Sequence, residues 1–216
     1  RIVRFNYRGD FQKYIDKLGK TPLPEYIKRE PTDSDRENYQ SVFAENIGSV
    51  AAASSGLHFT KELLRKIEKK GINILPVTLH VGLGKFRHVE VEDLTKHRMD
   101  SEFFEISDYT AEEVNRAVES KRKIIACGTS VARVLEANTT AGRYIRSGKG
   151  WTDKFVYPPQ TMKVVDKFIT NFHQTQSTMI MLVCAFADRD LVMKAYKKAV
   201  KDKYRFYSYG DSMLIV

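Results

Sequence analysis

The sequence predicts an α/β fold, a mixed sheet with flanking helices, and two observations support that prediction. Short apolar runs of strand length alternate with longer segments of helical spacing along the 216 residues. With 42% hydrophobic and 29% charged residues, the chain has enough apolar side chains for a sizeable core and enough charge for a polar surface. No internal repeat or low-complexity tract interrupts the alternation. We therefore expect one or two globular domains.

Glycines and capping residues mark where the predicted elements begin and end. Gly19 and Gly71 follow helical segments and are expected to end them, and Thr60 is a favourable N-cap. Thr110 and Glu113 have the spacing of a capping box. In chain order the predicted elements are a strand at 1–9, helices at 10–19, 34–45 and 61–70, a strand at 72–82, a helix at 110–119, a strand at 123–127, a helix from about 130, strands at 155–158 and 163–172, helices at 177–187 and 190–203, and a strand at 212–216.

The charge balance favours a polyanionic partner. The 36 Lys and Arg residues against 27 Asp and Glu leave a formal charge of +9 and a pI of about 9.4. Helical spacing places four lysines close to one face of the predicted helix near the carboxyl terminus: Lys194, Lys197, Lys198 and Lys201. An ordinary solvated surface is the alternative reading of the same excess.

The location expected from composition is the cytoplasm. No apolar run approaches the roughly 20 residues of a membrane helix, and the first residues do not resemble a secretion signal. Cys127 and Cys184 lie far apart in apolar stretches without a CxxC motif, so both are interpreted as reduced core residues. Arg1 is not a natural start, and residues 1–9 alternate like a strand already inside a sheet, so we expect a longer protein to precede this segment.

Four segments combine glycine, histidine and hydroxyl residues at the ends of predicted elements, where ligands are commonly bound. They are residues 48–60, 79–86, 126–133 and 169–181. Their candidate residues are His58, Thr60, His80, Gly82, Gly84, Gly128, Thr129, Ser130, Arg133, Asn171, His173 and Ser177. Packing of the histidines and simple helix capping by Thr60, Thr129 or Ser130 remain open alternatives.

Two of these segments invite comparison with known ligand sites. Residues 126–133 run from a strand through a glycine into a helix, an arrangement that binds carboxylates and phosphates, with Arg133 one turn further on. The Gly82 and Gly84 pair is followed by Lys85 and Phe86 rather than by the rest of a GxGxxG fingerprint, so we reject a Rossmann cofactor site. The five histidines have no zinc-type spacing and no GxSxG elbow is present, so neither a metal site nor a nucleophilic triad is expected.

Taken in order, the motifs resemble the S-adenosylmethionine:tRNA ribosyltransferase-isomerase family of queuosine biosynthesis. The matching segments are KTPLPEYIKR (20–29), ENYQSVFA (37–44), GSVAAASSGLHFT (48–60), LHVGLGKF (79–86), GTSVARVLE (128–136), KVVDKFITNFHQTQSTMIMLVCAFA (163–187) and YRFYSYGDSMLI (204–215). The resemblance implies a catalytic α/β domain over 11–216 and an inserted β-barrel domain upstream, of which 1–10 would be the exit strand.

The resemblance also implies an activity and its partners. The family transfers the ribosyl unit of S-adenosylmethionine to 7-aminomethyl-7-deazaguanine in the tRNA anticodon loop, releasing adenine and methionine and leaving epoxyqueuosine. S-adenosylmethionine is then a co-substrate, and no prosthetic group, metal or membrane is expected. The wobble base lies in a single-stranded loop, where it can be flipped out and stacked on aromatic rings.

The residue types in the matching segments suggest roles in that reaction. His58, His80 and His173 are alternatives for a base that removes a proton next to the sulfonium, since an unperturbed imidazole has a pKa of roughly 6.5. Gly128, Thr129, Ser130 and Arg133 suit the methionine carboxylate, and Asp211 suits a ribose hydroxyl or the substrate amine. The remaining candidates are Thr60, Gly82, Gly84 and Asn171 for the co-substrate, with Tyr207 and Tyr209 for base stacking and Phe172 assigned to the core.

Parts of the chain depart from the family pattern. Ala53, Ser54 and Ser55 stand where Pro-Thr-Ala is expected, Asp100 stands where a histidine is expected, and residues 158–160 replace a Pro-Gly-Tyr. Two alternatives follow. One is a paralogue that binds S-adenosylmethionine but acts on a different acceptor, and the other is a catalytically inert RNA-binding module.

Overall fold

The computed structural model describes residues 3–216 as a mixed α/β fold. Its helices are α1 (Phe11–Leu18), α2 (Asp33–Asn38), α3 (Lys61–Glu68), α4 (Asp108–Glu119), α5 (Thr129–Ala137), α6 (Thr178–Phe186) and α7 (Arg189–Lys201). Its strands are β1 (Thr78–His80), β2 (Glu102–Ile106), β3 (Ile125–Cys127), β4 (Gly148–Thr152), β5 (Lys167–Asn171) and β6 (Ser212–Ile215). Short 3-10 turns lie at Ser54–His58, Leu83–Phe86 and Leu94–Lys96.

The strands form two small sheets of three strands each. One has the order β1-β2-β4 and is antiparallel throughout, with Phe103 opposite both His80 and Trp151. The other has the order β3-β5-β6, in which β3 and β5 are parallel and β6 is antiparallel to β5. The parallel pair matters for function, because the carboxyl ends of β3 and β5 meet at one edge of the sheet.

The second sheet and helices α5 and α6 hold the centre of the core. Phe168 on β5, Val134 on α5 and Val183 on α6 are fully buried. The apolar α6 predicted from the sequence is confirmed, and its buried side chains explain why its sequence is apolar almost all round. This packing holds the amino-terminal ends of α5 and α6 close to the edge where β3 and β5 end.

Several predicted helix boundaries are confirmed by capping contacts. The Thr60 side chain accepts a hydrogen bond from the Leu63 backbone at the start of α3, and Gly71, with φ of +76°, follows the end of that helix. The predicted capping box at Thr110 and Glu113 is wrong. Ser107 caps α4, while the Thr110 hydroxyl is buried and donates to the Pro76 carbonyl. Because the buried Thr110 hydroxyl is satisfied by the Pro76 carbonyl, it does not serve as the N-cap of α4.

The strands are predicted less well than the helices. The sequence missed β2 and β4, since a buried Glu102 begins one and two glycines weaken the β-signal of the other. Residues 155–158 form no strand in the described chain, where Pro158 and Pro159 lack amide donors for a ladder. Residues 3–9 form none either, whereas Arg1 and Ile2 of the predicted opening strand lie outside the described residues. The assignment of 1–10 to an inserted barrel stays a prediction.

The predicted helix at 34–45 forms only as α2, and the predicted strand at 72–82 only as β1. Ser41, Val42 and Phe43 instead lie in a turned segment that packs beside Gly56. Within residues 3–216, no helix has both the length and the apolar character needed to cross a membrane.

Candidate functional site

The candidate site lies at the edge where the parallel strands β3 and β5 end. Gly128 follows β3, has φ of +99°, and donates its backbone N–H to the Ile169 carbonyl at 2.8 Å. A Cβ built on Gly128 would lie 3.6 Å from Ser55, so the small-residue segment at 48–60 packs directly on this edge. In open α/β sheets, ligands bind in the crevice beyond the carboxyl ends of the strands.

Asn171, the last residue of β5, connects three distant parts of the chain. Its side chain is 1% exposed and accepts a hydrogen bond from the Ser55 hydroxyl at 3.2 Å. Its amide nitrogen donates to His58 Nε2 and to the Tyr207 carbonyl, each at 3.0 Å. Because Nε2 of His58 accepts this bond, the neutral imidazole carries its proton on Nδ1. The network therefore fixes both the orientation and the tautomer of His58.

Asp211 belongs to a turn that lies close to His58. Its carboxylate accepts hydrogen bonds from the Arg205 backbone at 2.8 Å and from the Arg205 guanidinium at 2.7 Å. These bonds are the main reason why the pKa of Asp211 is lowered, and the nearby His58 contributes to the same effect. The structure thus brings His58, Asn171 and Asp211 close together. The Asp211 carboxylate, however, is already hydrogen-bonded to Arg205 of the same turn.

Buried polar contacts hold this turn to the amino-terminal segments. The Tyr209 hydroxyl donates to Asp35 at 2.8 Å, and Asp35 also binds the Arg29 guanidinium through two hydrogen bonds. The Tyr26 ring packs on Tyr207 with centroids 4.8 Å apart. The Tyr207 ring is therefore held next to the site, although its residue has a positive φ of 73°.

A second group of site residues lines a cavity between α5, α6, the start of β2 and residues 154–156. Arg133 on α5 forms an ion pair with Glu102, and Glu102 also accepts the Gly82 backbone N–H at 3.2 Å. Arg133 is 7% exposed, and its Nε atom has no hydrogen-bond partner in the described chain. Burial lowers the pKa of Arg133 to about 10, so the guanidinium remains charged at neutral pH. Thr129 and Ser130 line the same cavity at the start of α5.

Lys85 is a residue of the site that was not predicted from the sequence. Its ammonium donates to the Ala52 carbonyl at 3.3 Å and to the Ser54 hydroxyl at 3.4 Å, and its side chain lines the cavity beside Arg133. Burial, with a smaller effect of Arg133, lowers the pKa of Lys85 to about 8. The available signal was a cation placed directly after a Gly-x-Gly pair at a strand end.

His173 is a buried neutral histidine. Its Nε2 lies 2.6 Å from the Thr170 hydroxyl, and its backbone N–H donates to the Tyr196 hydroxyl at 3.0 Å. Burial, assisted by the charge of Lys85, lowers the pKa of His173 to about 3. A base with such a low pKa and an engaged ring nitrogen accepts protons poorly, so the geometry favours a supporting role for His173.

Within residues 3–216, His80 makes no hydrogen bond to His58 or Asn171. The His80 ring stacks on Phe103 with centroids 5.2 Å apart, and its buried Nδ1 lacks a hydrogen-bond partner in the described chain. A side chain at Gly48 would collide with this ring. A side chain at Gly84 would overlap the Asp100 carboxylate. Gly84 thus packs on a neighbouring carboxylate, as Gly82 binds Glu102. Thr60 is exposed and caps α3.

The predicted nucleic-acid contacts are accessible. Lys194, Lys197, Lys198 and Lys201 are all exposed on α7, and Tyr207 and Tyr209 are 38% and 37% exposed. Phe172 is 6% exposed and packs against Tyr196, as expected of a core residue. Among residues 3–216, no group of three or more His, Cys, Asp or Glu side chains is arranged to hold a metal ion.

Comparison with protein families gives one match over nearly the whole sequence. A family model described as queuosine biosynthesis protein matches residues 1–215. Curated relatives named S-adenosylmethionine:tRNA ribosyltransferase-isomerase include one from Cytophaga hutchinsonii, 50% identical over 219 residues, and one from Sulfurihydrogenibium sp., 53% identical over 215 residues. All of this chain is covered in both matches, but it spans only 63% and 62% of those relatives.

A solved structure with the same fold is also similar. The crystal structure of S-adenosylmethionine tRNA ribosyltransferase from Thermotoga maritima has 40% sequence identity and a TM-score of 0.60. The match covers 75% of this chain and 51% of the other.

Proposed function

The chain belongs to the queuosine biosynthesis protein family, and on that premise we propose that it carries S-adenosylmethionine:tRNA ribosyltransferase-isomerase activity. The acceptor is 7-aminomethyl-7-deazaguanine at the wobble position of a tRNA. The ribosyl unit of S-adenosylmethionine is joined to the aminomethyl nitrogen, adenine and methionine leave, and the product is epoxyqueuosine. The relatives' names support this assignment.

The observation that carries the proposal is the Asn171–His58 contact at the edge where β3 and β5 end. A sulfonium makes the adjacent C5′ hydrogens acidic and makes methionine a competent leaving group, so the reaction needs a base near that carbon. His58 is the histidine held in place by a buried amide, and its residue is only partly buried. We therefore assign the base to His58, whose Nε2 lone pair becomes available when the substrate displaces the Asn171 amide. The buried His173 is given a structural role, and His80 makes no hydrogen bond to this pair in the described chain.

The remaining site residues have roles suited to the same substrate. The start of α5, at Thr129 and Ser130, offers backbone N–H groups and the positive end of a helix dipole to an anionic group. Asn171 positions His58, and Asp211 holds the turn through Arg205 and lies near enough to His58 to interact with its charge. All of this chemistry uses side chains and backbone of the chain, with S-adenosylmethionine as co-substrate.

The proposed macromolecular substrate is the anticodon loop of a tRNA, and the proposed location is the cytoplasm. The exposed lysines of α7 suit contacts with phosphates, and the half-exposed ring of Tyr207 beside the site suits a base flipped out of a single-stranded loop. The net charge of +9 agrees with such a partner.

The test is a turnover assay of the full-length protein with S-adenosylmethionine and tRNA that carries 7-aminomethyl-7-deazaguanine. Mass spectrometry of the digested nucleosides is expected to detect epoxyqueuosine, with adenine released in equal amount. Unchanged tRNA, in a folded protein that binds S-adenosylmethionine, would instead indicate a paralogue with another acceptor. Binding of tRNA without any binding of S-adenosylmethionine would indicate an RNA-binding module.

A further inference from the structure

The cavity beside α5 has both polar and apolar lining residues. Lys85, Thr129 and Ser130 are among the polar ones, and Met179 and Leu182 of α6 are among the apolar ones. Such a lining suits a ligand with a charged head and a short apolar chain. The methionine part of S-adenosylmethionine has that form, since methylene groups separate its α-carboxylate from the sulfonium.

Arg133 and Lys85, two cations that line this cavity, have different partners. Arg133 already has a carboxylate partner in Glu102. Lys85 donates only to the neutral oxygens of Ala52 and Ser54, and no carboxylate in the described part of the chain lies within ion-pair distance of its ammonium. Burying an ammonium without a counter-charge costs free energy, and an incoming carboxylate would offset that cost.

The start of α5 supports the same reading. Gly128 is the N-cap residue and no side chain caps this helix, so its first-turn N–H groups are left for another acceptor. Thr129 and Ser130 bring these groups to the cavity that Lys85 lines, and the buried Arg133 Nε without a partner lies in the same wall. Two independent features thus point to an anion at one position.

We infer that Lys85 is the residue that forms the ion pair with the α-carboxylate of bound S-adenosylmethionine. This rests on the proposed function and deepens it, because it assigns to Lys85 a role for which the sequence suggested Gly128, Thr129, Ser130 and Arg133. Arg133, committed to Glu102, is then a positioning residue that shapes the cavity. The lowered pKa of Lys85 supports the inference, since it reflects an ammonium that lacks a counter-charge until the ligand binds.

The experiment measures, by calorimetry on the full-length protein, the affinity for S-adenosylmethionine and for its decarboxylated analogue. Lys85→Met keeps most of the side-chain volume but removes the charge, and Lys61→Met at the exposed start of α3 is the matched control. Lys85→Met is expected to weaken binding of S-adenosylmethionine by at least about tenfold, as for loss of a buried ion-pair partner. Binding of the decarboxylated analogue should change by less than about threefold, and the control should change neither affinity.

An equal loss for both ligands, or no loss, would overturn the inference while leaving the proposed function intact. If the unmodified protein binds neither ligand, the proposed function and the inference both fail.

A second measurement needs no variant and covers the case in which Lys85→Met does not fold. Because the unliganded Lys85 has a pKa of about 8, it loses its proton above that pH, and the preference for S-adenosylmethionine over the decarboxylated analogue should decline between pH 7 and about pH 9.5. A preference that stays constant over this range would contradict the assignment. The α-amino group of S-adenosylmethionine itself titrates at about pH 8, so its ionisation is determined on the free ligand and its contribution is subtracted from the measured preference.

Discussion

Asn171 joins segments more than one hundred positions apart, since it binds Ser55, His58 and the Tyr207 backbone. Asn171→Ala removes these bonds and leaves buried partners unsatisfied, so we expect stability to fall by about 1–3 kcal/mol. Turnover should fall much further than affinity for S-adenosylmethionine, because His58 loses its orientation. Urea unfolding and steady-state kinetics measure the two effects.

The control for this variant is Asn115→Ala. Asn115 makes two hydrogen bonds to the Ile145 backbone, away from the site, so its loss should lower stability without a comparable loss of turnover. If the two variants lose turnover equally, Asn171 acts only through stability and does not position His58.

Burial of His173 gives a second prediction at this scale, and its sign follows from proton uptake. The unfolded chain protonates this histidine near pH 6.5, whereas the folded protein keeps it neutral down to about pH 3. The unfolded state therefore binds more protons between these values, and stability falls as the pH drops through this window. His173→Gln should lose less stability between pH 7 and pH 5 than the unmodified protein, by about 2 kcal/mol.

Urea unfolding at the two pH values gives this difference directly. The control is His88→Gln, which removes an imidazole from an exposed position and is compared at the same two pH values. Parallel behaviour of His173→Gln and the unmodified protein would show that His173 is not neutral and buried in solution.

The sequence identified individual site residues more often than the contacts between them. The sequence singled out His58 and Asn171 in separate segments, and only the fold shows that they are hydrogen-bonded. Lys85 was overlooked because a lysine after two glycines is ordinarily a surface residue, and its burial depends on α5 and α6 packing over it. Likewise, the pairing of Arg133 with Glu102 depends on an unpredicted strand.

At the scale of elements, the junction between β3 and α5 depends on Gly128. Its φ of +99° and ψ of 145° lie in a region that glycine alone adopts readily. Gly128→Ala should therefore destabilise the protein by about 1–3 kcal/mol and misplace the start of α5. Gly82→Ala is the control, because Gly82 has an ordinary φ and open space for a Cβ. Equal thermal stability of the two variants would contradict this account of the junction.

Helices were predicted better than strands for a physical reason. Capping and amphipathic spacing are local signals, as at Thr60 and along α7. Strand pairing is not local. The short β4 has little β-propensity of its own and forms because it pairs with β2 over five positions.

At the scale of the whole molecule, the excess positive charge has a testable consequence for α7. Replacing Lys197 and Lys201 by Gln should weaken tRNA binding and reduce the dependence of affinity on salt, because each lysine that contacts a phosphate releases counterions. The control replaces Lys69 and Lys70 at the end of α3, which changes net charge equally. If both double variants have the same tRNA affinity and the same salt dependence, tRNA binding depends on net charge alone and not on the lysines of α7.

The α/β class and the family were both predicted from the sequence, since alternating periodicity and ordered motifs extend over most of the chain. The division of the strands into two separate small sheets was not predicted, because Phe103 on β2 and Trp151 on β4 pair through contacts that no local sequence pattern reveals.

The most direct test of the central claim follows the ribose itself. Full-length protein is incubated with S-adenosylmethionine labelled in the ribose and with tRNA carrying or lacking 7-aminomethyl-7-deazaguanine. We predict that label enters only the tRNA carrying the modified base, in amounts equal to the adenine released, and that His58→Ala binds the co-substrate but transfers no label. Label that never enters tRNA, in a folded protein that binds both substrates, would contradict ribosyl transfer, and full transfer by His58→Ala would contradict the assignment of the base.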